Sequence, residues 1–256
     1  MKRNVSFALF LAACQILVAQ EGSPLLTHYV ESRNIEDQSW AVCQDEDNIM
    51  LFAYRKGILS FDGQDWDNIG ISVIPYAMRK NPADRKIYVG AENNFGFIEK
   101  DAAGAYKYMS LSGDSSDAGI ITKIILRDSI AWFYSDQGVY RYNLAARSTE
   151  LHLEARPGFP FTGIIVMPGN TFVNVLGKGL HRLESDTLFP IVTGYLTEQT
   201  EILFALPYDN NRVLVGQSSG SLSLFDGIKY YDFPVKDDEY LKGNILSEGI
   251  ALGDTA

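Results

Sequence analysis

His28, His152 and His181 are the residues to weigh first for chemistry. A zinc site draws its ligands from short, fixed spacings, and none of the three has a metal-type partner nearby in sequence. His181 stands in the alternating run Gly179-Leu180-His181-Arg182-Leu183, where a hydrogen-bonded structural histidine is expected. Cys43 follows Trp40-Ala41-Val42 and reads as a small buried hydrophobe. A reactive thiol would need a depressed pKa and a neighbouring base, which nothing local suggests. The acidic turn Asp45-Glu46-Asp47-Asn48 lacks the alternating spacing and distal Glu of a calcium loop. Asp62-Gly63 and Asp226-Gly227 are first of all turn signatures. No Gly-x-Ser-x-Gly elbow, Walker loop or Rossmann fingerprint is present. Carboxylate pairs for glycoside chemistry are defined by distance in space, so scattered acids leave that question open. The expectation is a noncatalytic chain with no metal and no cofactor.

The elements that would position such residues announce themselves by repetition. A glycine-led, mostly apolar run ending in a polar residue recurs as Gly57–Asp62, Gly96–Asp101, Gly138–Asn143 and Gly179–Glu184, and as Ser221–Asp226 with Gly220 displaced by one. The closing residues are 39, 42, 41 and 42 positions apart. Each run follows a β-rich segment: Ile49–Phe52, Ile87–Val89, Ile130–Phe133, Phe172–Val175 and Val213–Val215. Between segment and run lie small or polar turn residues such as Arg55-Lys56 and Asp136-Gln137. An apolar segment precedes each unit and a weaker strand follows it. Four short strands in about 41 residues make one propeller blade. The near-continuous apolar runs suit strands buried on both faces, as stacked blades require. A non-repeating sandwich would alternate more cleanly. Helical repeats fail because no stretch of 12 residues shows helical periodicity. The expected fold is therefore an all-β propeller with blades near 38–69, 73–111, 118–155, 160–195 and 201–235. A partial sixth, 239–256, begins near Asn244-Ile245-Leu246. Such a ring is incomplete and exposes an unpaired strand edge, so a longer natural protein is expected.

Residues 1–19 read as a signal peptide: Lys2 and Arg3, then the apolar Val5–Ala13, with a cut after Ala19. Gln15 interrupts the apolar stretch and makes it a poor membrane span. Leu11-Ala12-Ala13-Cys14 also fits a lipoprotein box, which would anchor the chain through Cys14. Cys43 is then the one cysteine of the mature chain, so no internal disulfide forms. A periplasmic or secreted location follows. The formal net charge of −10 opposes contact with phosphate backbones, so no nucleic-acid partner is expected.

The first blade carries a further signal. Trp40-Ala41-Val42-Cys43-Gln44-Asp45, the strand Ile49–Phe52, then Gly57–Asp62 with Gly63 and Trp66, resembles the blades of two-component-regulator propeller proteins. Val213–Gly216 through Leu224-Phe225-Asp226-Gly227 is a second match, and the blades between 73 and 195 match loosely. The resemblance implies a periplasmic ligand-sensing domain. In that family a sandwich domain, a transmembrane helix and a cytoplasmic kinase or transcription-regulator output follow the propeller. Those would be this chain's partners if such a continuation exists.

In a propeller, the loops leading into each inner strand and those joining the second and third strands meet on one face. Trp40, Tyr76, Lys123 and Phe204 are the candidates from the first set. Arg55, Lys56, Glu92, Asn93, Asn94, Asp136, Gln137 and Lys178 come from the second. Aromatics rimmed by amides and charges would suit a sugar or an acidic oligosaccharide, although Trp40 and Phe204 equally suit blade packing. The expected function is noncatalytic ligand sensing. A secreted propeller enzyme acting on polysaccharide and a protein-interaction scaffold are the alternatives.

Overall fold

The computed structural model describes residues 38–113, 117–191, 200–236 and 238–250. Residues 1–37, with Cys14 and His28, lie outside them. Twenty strands form five four-stranded antiparallel sheets. The first holds β1 (Ala41–Gln44), β2 (Met50–Tyr54), β3 (Gly57–Phe61) and β4 (Trp66–Ile69). The second holds β5 (Pro75–Lys80), β6 (Ile87–Ala91), β7 (Asn94–Lys100) and β8 (Tyr106–Ser110). The third holds β9 (Lys123–Arg127), β10 (Ile130–Tyr134), β11 (Gly138–Asn143) and β12 (Ser148–Glu154). The fourth holds β13 (Phe161–Met167), β14 (Asn170–Val175), β15 (Gly179–Glu184) and β16 (Thr187–Pro190). The fifth holds β17 (Ile202–Pro207), β18 (Val213–Gln217), β19 (Leu222–Phe225) and β20 (Tyr230–Asp232). Within every sheet the strands pair in chain order, so each is an unbroken meander.

Apolar clusters bind each sheet to the next. Leu51, Ala53 and Ile58 of the first pack on Met78, Val89 and Ile98 of the second. Tyr88 and Phe95 meet Phe133 and Tyr140 between second and third, with Phe95 and Phe133 stacked at 4.4 Å. Trp132, Tyr134 and Val139 meet Ile164, Val166 and Val173 between third and fourth. Ile165 and Phe172 meet Val215 and Phe225 between fourth and fifth. Sheets packed on both sides need middle strands buried on both sides. All five residues of β3 and all five of β6 are buried, which rules out a two-sheet sandwich.

Four of the five residues that closed the sequence repeats have a common mechanical role. The carboxylate of Asp62 accepts the N–H groups of Gln64 and Asp65, each at 2.8 Å. Asp101 does the same for Ala103 and Ala105, Asn143 for Ala145 and Ala146, and Asp226 for Ile228 and Lys229. These side chains satisfy the turn between third and fourth strands, which has few backbone partners of its own. The glycine at the head of the repeat answers a different need. Gly57 has φ near 130°, and a side-chain carbon there would stand 2.8 Å from the Ile69 carbonyl as β4 crosses β3.

After the fifth sheet the chain forms a single helical turn, α1 (Asp238–Lys242). The sixth-blade strand expected from Asn244-Ile245-Leu246 is not formed, and Ile245 is 97% exposed. A strand gains its hydrogen bonds from a partner strand, and the described residues offer this segment none. No helix among the described residues is long and apolar enough to cross a membrane.

Candidate functional site

Consecutive antiparallel strands send their loops alternately to two faces. One face gathers the hairpins joining the second and third strands of each sheet and the segments running from one sheet into the next. There the backbone is latched across sheets. Asn93, at the β6–β7 turn with φ of 51°, donates its N–H to the Gly119 carbonyl at 2.8 Å and accepts the Gly119 N–H on its side chain at 3.0 Å. Phe161 donates its N–H to the Asp136 carbonyl, and Ala155 to that of Gln137, both at 2.8 Å. Beneath them the buried Ser135 donates its hydroxyl to the Ala118 carbonyl and accepts the N–H groups of Gln137 and Gly138. Ser218 donates its N–H to the Glu201 carbonyl at 3.0 Å.

These latched loops surround a cavity of about 740 Å³ spanning the second to fifth sheets. Its wall carries Glu92, Asn93, Asp117, Asp136, Gln137 and Glu201, with Lys123, Tyr134, Thr162 and Leu176 deeper or between them. Size and mixed lining match a small-molecule site. Lys123 is partly buried in β9, donates to the Ile202 carbonyl at 3.0 Å and lies 5.4 Å from the Tyr134 ring. Burial pulls its pKa down to about 8, against the opposing pull of Glu248 and Glu201. Burial likewise pushes the Tyr134 phenol up, helped by Asp136 and Glu201.

Backbone bulges set much of this lining. The inner strands β5, β13 and β17 each shift register by one residue near their start, at Pro75/Ala77, Phe161/Gly163 and Ile202/Phe204. The extra residues are Tyr76, Thr162 and Leu203, of which the last two line the cavity.

Of the twelve residues expected at a ligand site, Glu92, Asn93, Lys123, Asp136 and Gln137 line this cavity. The other seven are placed elsewhere. Trp40 and Tyr76 pack on each other at 4.6 Å instead of forming a platform. Phe204 lies across Gly216, where a side-chain carbon would stand 2.8 Å or less from its ring, and so packs within its own sheet. Asn94 begins β7 and accepts the hydroxyls of Tyr108 and Ser110. Lys178 lies 4.4 Å from the Phe159 ring. Arg55 and Lys56 form the exposed β2–β3 turn and fall outside the lining. Tyr134 and Phe161, from strand ends, supply the cavity's aromatic surface. Asp117 and Glu201 belong to connections between sheets, which carry no repeated motif, and Thr162 is the bulged residue of β13.

The two described histidines, His152 and His181, stay apart from the cavity. His152 stacks on Tyr140 at 4.4 Å and faces Glu154, and the buried His181 shares a hydrogen bond with the Gly179 carbonyl. Burial pushes the Cys43 thiol up, opposite to what reactivity requires. No group of three or more metal-ligating side chains is found among the described residues.

The opposite face carries the remaining hairpins and a closed polar cluster. Asp45, 7% exposed, accepts the N–H groups of Asp47 and Ile49 at 2.8 Å. It also accepts Lys100 at 2.6 Å and the Tyr106 hydroxyl at 2.5 Å from the second sheet. Lys100 bridges on to Asp47, and Lys80 pairs with Glu46 at 3.0 Å. Burial pushes the Asp45 carboxyl up, but the bonds from Lys100, Tyr106 and Ile49 together hold it below the usual range. The acidic turn noted in sequence is thus a clasp between the first two sheets.

No family model and no curated protein matches the chain. Solved structures do. The WD40 β-propeller domain of Doa1 superposes with a TM-score of 0.57 at 12% identity, covering 75% of this chain and 66% of that one. The fold is a β-propeller. The extracellular domain of BT4673 from B. thetaiotaomicron, assigned to a one component system, matches at 16% identity and a TM-score of 0.55. It covers 75% of this chain and 27% of that one. PorZ, a surface component of the type-IX secretion system of Porphyromonas gingivalis, matches at 16% and 0.53, covering 78% and 34%. The chain thus spans about a quarter to a third of the length of these last two propeller-bearing chains. The likeness to BT4673 agrees in fold with the sensor resemblance of the first blade.

Proposed function

We propose that this propeller is a noncatalytic sensing domain outside the cytoplasm that takes a small polar ligand, of which a carbohydrate fits best, into the cavity on its latched face. The cavity itself carries this reading. Its loops are fixed to one another by backbone hydrogen bonds, so little ordering is left to oppose binding. Hydroxyl-rich ligands match a wall of amides, carboxylates and one aromatic pair. Four lining carboxylates, Glu92, Asp117, Asp136 and Glu201, stand against one lysine. That balance favours neutral sugars over the acidic oligosaccharides expected from the sequence. Signalling to a membrane or output region, as in the family the first blade resembles, belongs to the same proposal.

Thermal denaturation with a panel of neutral and acidic oligosaccharides tests the reading. Stabilisation by a neutral member, lost in Gln137→Ala and Asp136→Ala, is expected. A folded protein that no panel member stabilises overturns it.

A further inference from the structure

The cavity holds one amine, Lys123, which is half-buried where Lys56, Lys178 and Lys229 are exposed. Lys80, Lys86, Lys100 and Lys107 each lie within 3.2 Å of a carboxylate. Lys123 has no ion pair among the described residues. It gives one hydrogen bond, to the neutral Ile202 carbonyl, and faces the Tyr134 ring. The charged groups that reach it are Glu201, beside β17, and Glu248, from the segment after α1, and both act only at longer range. Its ammonium is therefore poorly compensated, and near pH 8 about half of the side chain is the free amine. A free amine beside an open cavity is a nucleophile toward carbonyl carbon. The lining carboxylates oppose an anionic partner but not a neutral carbonyl compound.

We infer that Lys123 anchors ligands covalently and reversibly, its Nζ forming an imine with an aldehyde-bearing ligand such as the open-chain form of a reducing sugar. The nitrogen lone pair adds to the carbonyl carbon while the C=O π pair moves to oxygen, which takes up a proton. The nitrogen loses a proton, and the carbinolamine expels water as the C=N bond forms. No oxidant or reductant takes part. Once protonated the imine is a cation, and like the ammonium it is reached at longer range by Glu201 and Glu248. The inference rests on the reading of this cavity as the binding site.

The full chain is incubated with cellobiose or D-glyceraldehyde and sodium cyanoborohydride, and labelled peptides are mapped by mass spectrometry. Lys123 is expected to label at least about tenfold faster than the exposed Lys56 at pH 8, with a midpoint near that pH. Lys123→Arg removes this label. Equal labelling of Lys123 and Lys56 in the unaltered chain overturns the imine whether or not the variant folds. Cellobiitol, which has no carbonyl, separates the two readings. Stabilisation by cellobiitol without label at Lys123 sinks the imine and keeps the site. Label at Lys123 with no stabilisation by any sugar keeps the imine and sinks the sensing role.

Discussion

The two faces of this propeller carry similar residue types and use them in opposite ways. On one, Asp45, Asp47, Glu46, Lys80, Lys100 and Tyr106 consume one another's hydrogen-bonding capacity and lock two blades together. On the other, Glu92, Asp117, Asp136, Gln137 and Glu201 surround open space, and their backbones, not their side chains, do the latching. An acidic loop therefore says little until its cations are located. A lysine from the next sheet turns the Asp45 loop into a clasp, while the backbone latch of Asp136 leaves its carboxylate at the cavity.

Substitutions on the two faces should separate by size. Asp45→Ala leaves Tyr106 and two backbone N–H groups without their partner and Lys100 with Asp47 alone, so a loss of about 2–4 kcal/mol is expected from urea denaturation. Asp136→Ala should change stability by less than about 0.5 kcal/mol. Comparable losses at the two sites would erase the distinction. Beneath the cavity, Ser135→Ala removes a buried hydroxyl with three partners, for an expected loss of about 1–2 kcal/mol. It should also weaken ligand binding, since the Asp136–Gln137 hairpin loosens. Asp101→Ala, which uncaps its turn, should cost less than Ser135→Ala, while Glu184→Ala should be close to neutral. The clasp also predicts acid sensitivity. Asp45 is held below the ordinary carboxylate pKa in the folded chain, so its stabilisation is present above about pH 4 and is lost as pH falls through the depressed value. Asp45→Asn should flatten the acid limb of a stability–pH curve, and an unchanged limb would place the acid response elsewhere.

Particular residues show how far the sequence could be read. Asp62, Asp101, Asn143 and Asp226 marked the blades because each performs the same local job, capping a turn within four residues of itself. Glu184 kept the spacing without the cap; there Ser185 makes the turn with φ of 55°. Hairpin tips Asn93, Asp136 and Gln137 were legible because the period locates them. Thr162 and Leu203 were not, because a one-residue bulge breaks the two-residue alternation that assigns strand faces. Trp40, Tyr76 and Phe204 lie outside the cavity lining, Trp40 against Tyr76 and Phe204 over Gly216. The missing sixth-blade strand shows that an apolar run becomes a strand only where a partner edge awaits it.

The account turns on the latched face being the one that takes a ligand. Amide chemical-shift mapping of the isotope-labelled chain with a neutral oligosaccharide mixture tests this most directly. Perturbations confined to the amides of Glu92–Asn93, Gly119–Lys123, Asp136–Gln137 and Glu201–Leu203 are expected, with Asp45 and Lys100 unmoved. Perturbations centred on the Asp45 clasp, or absent throughout, would contradict it.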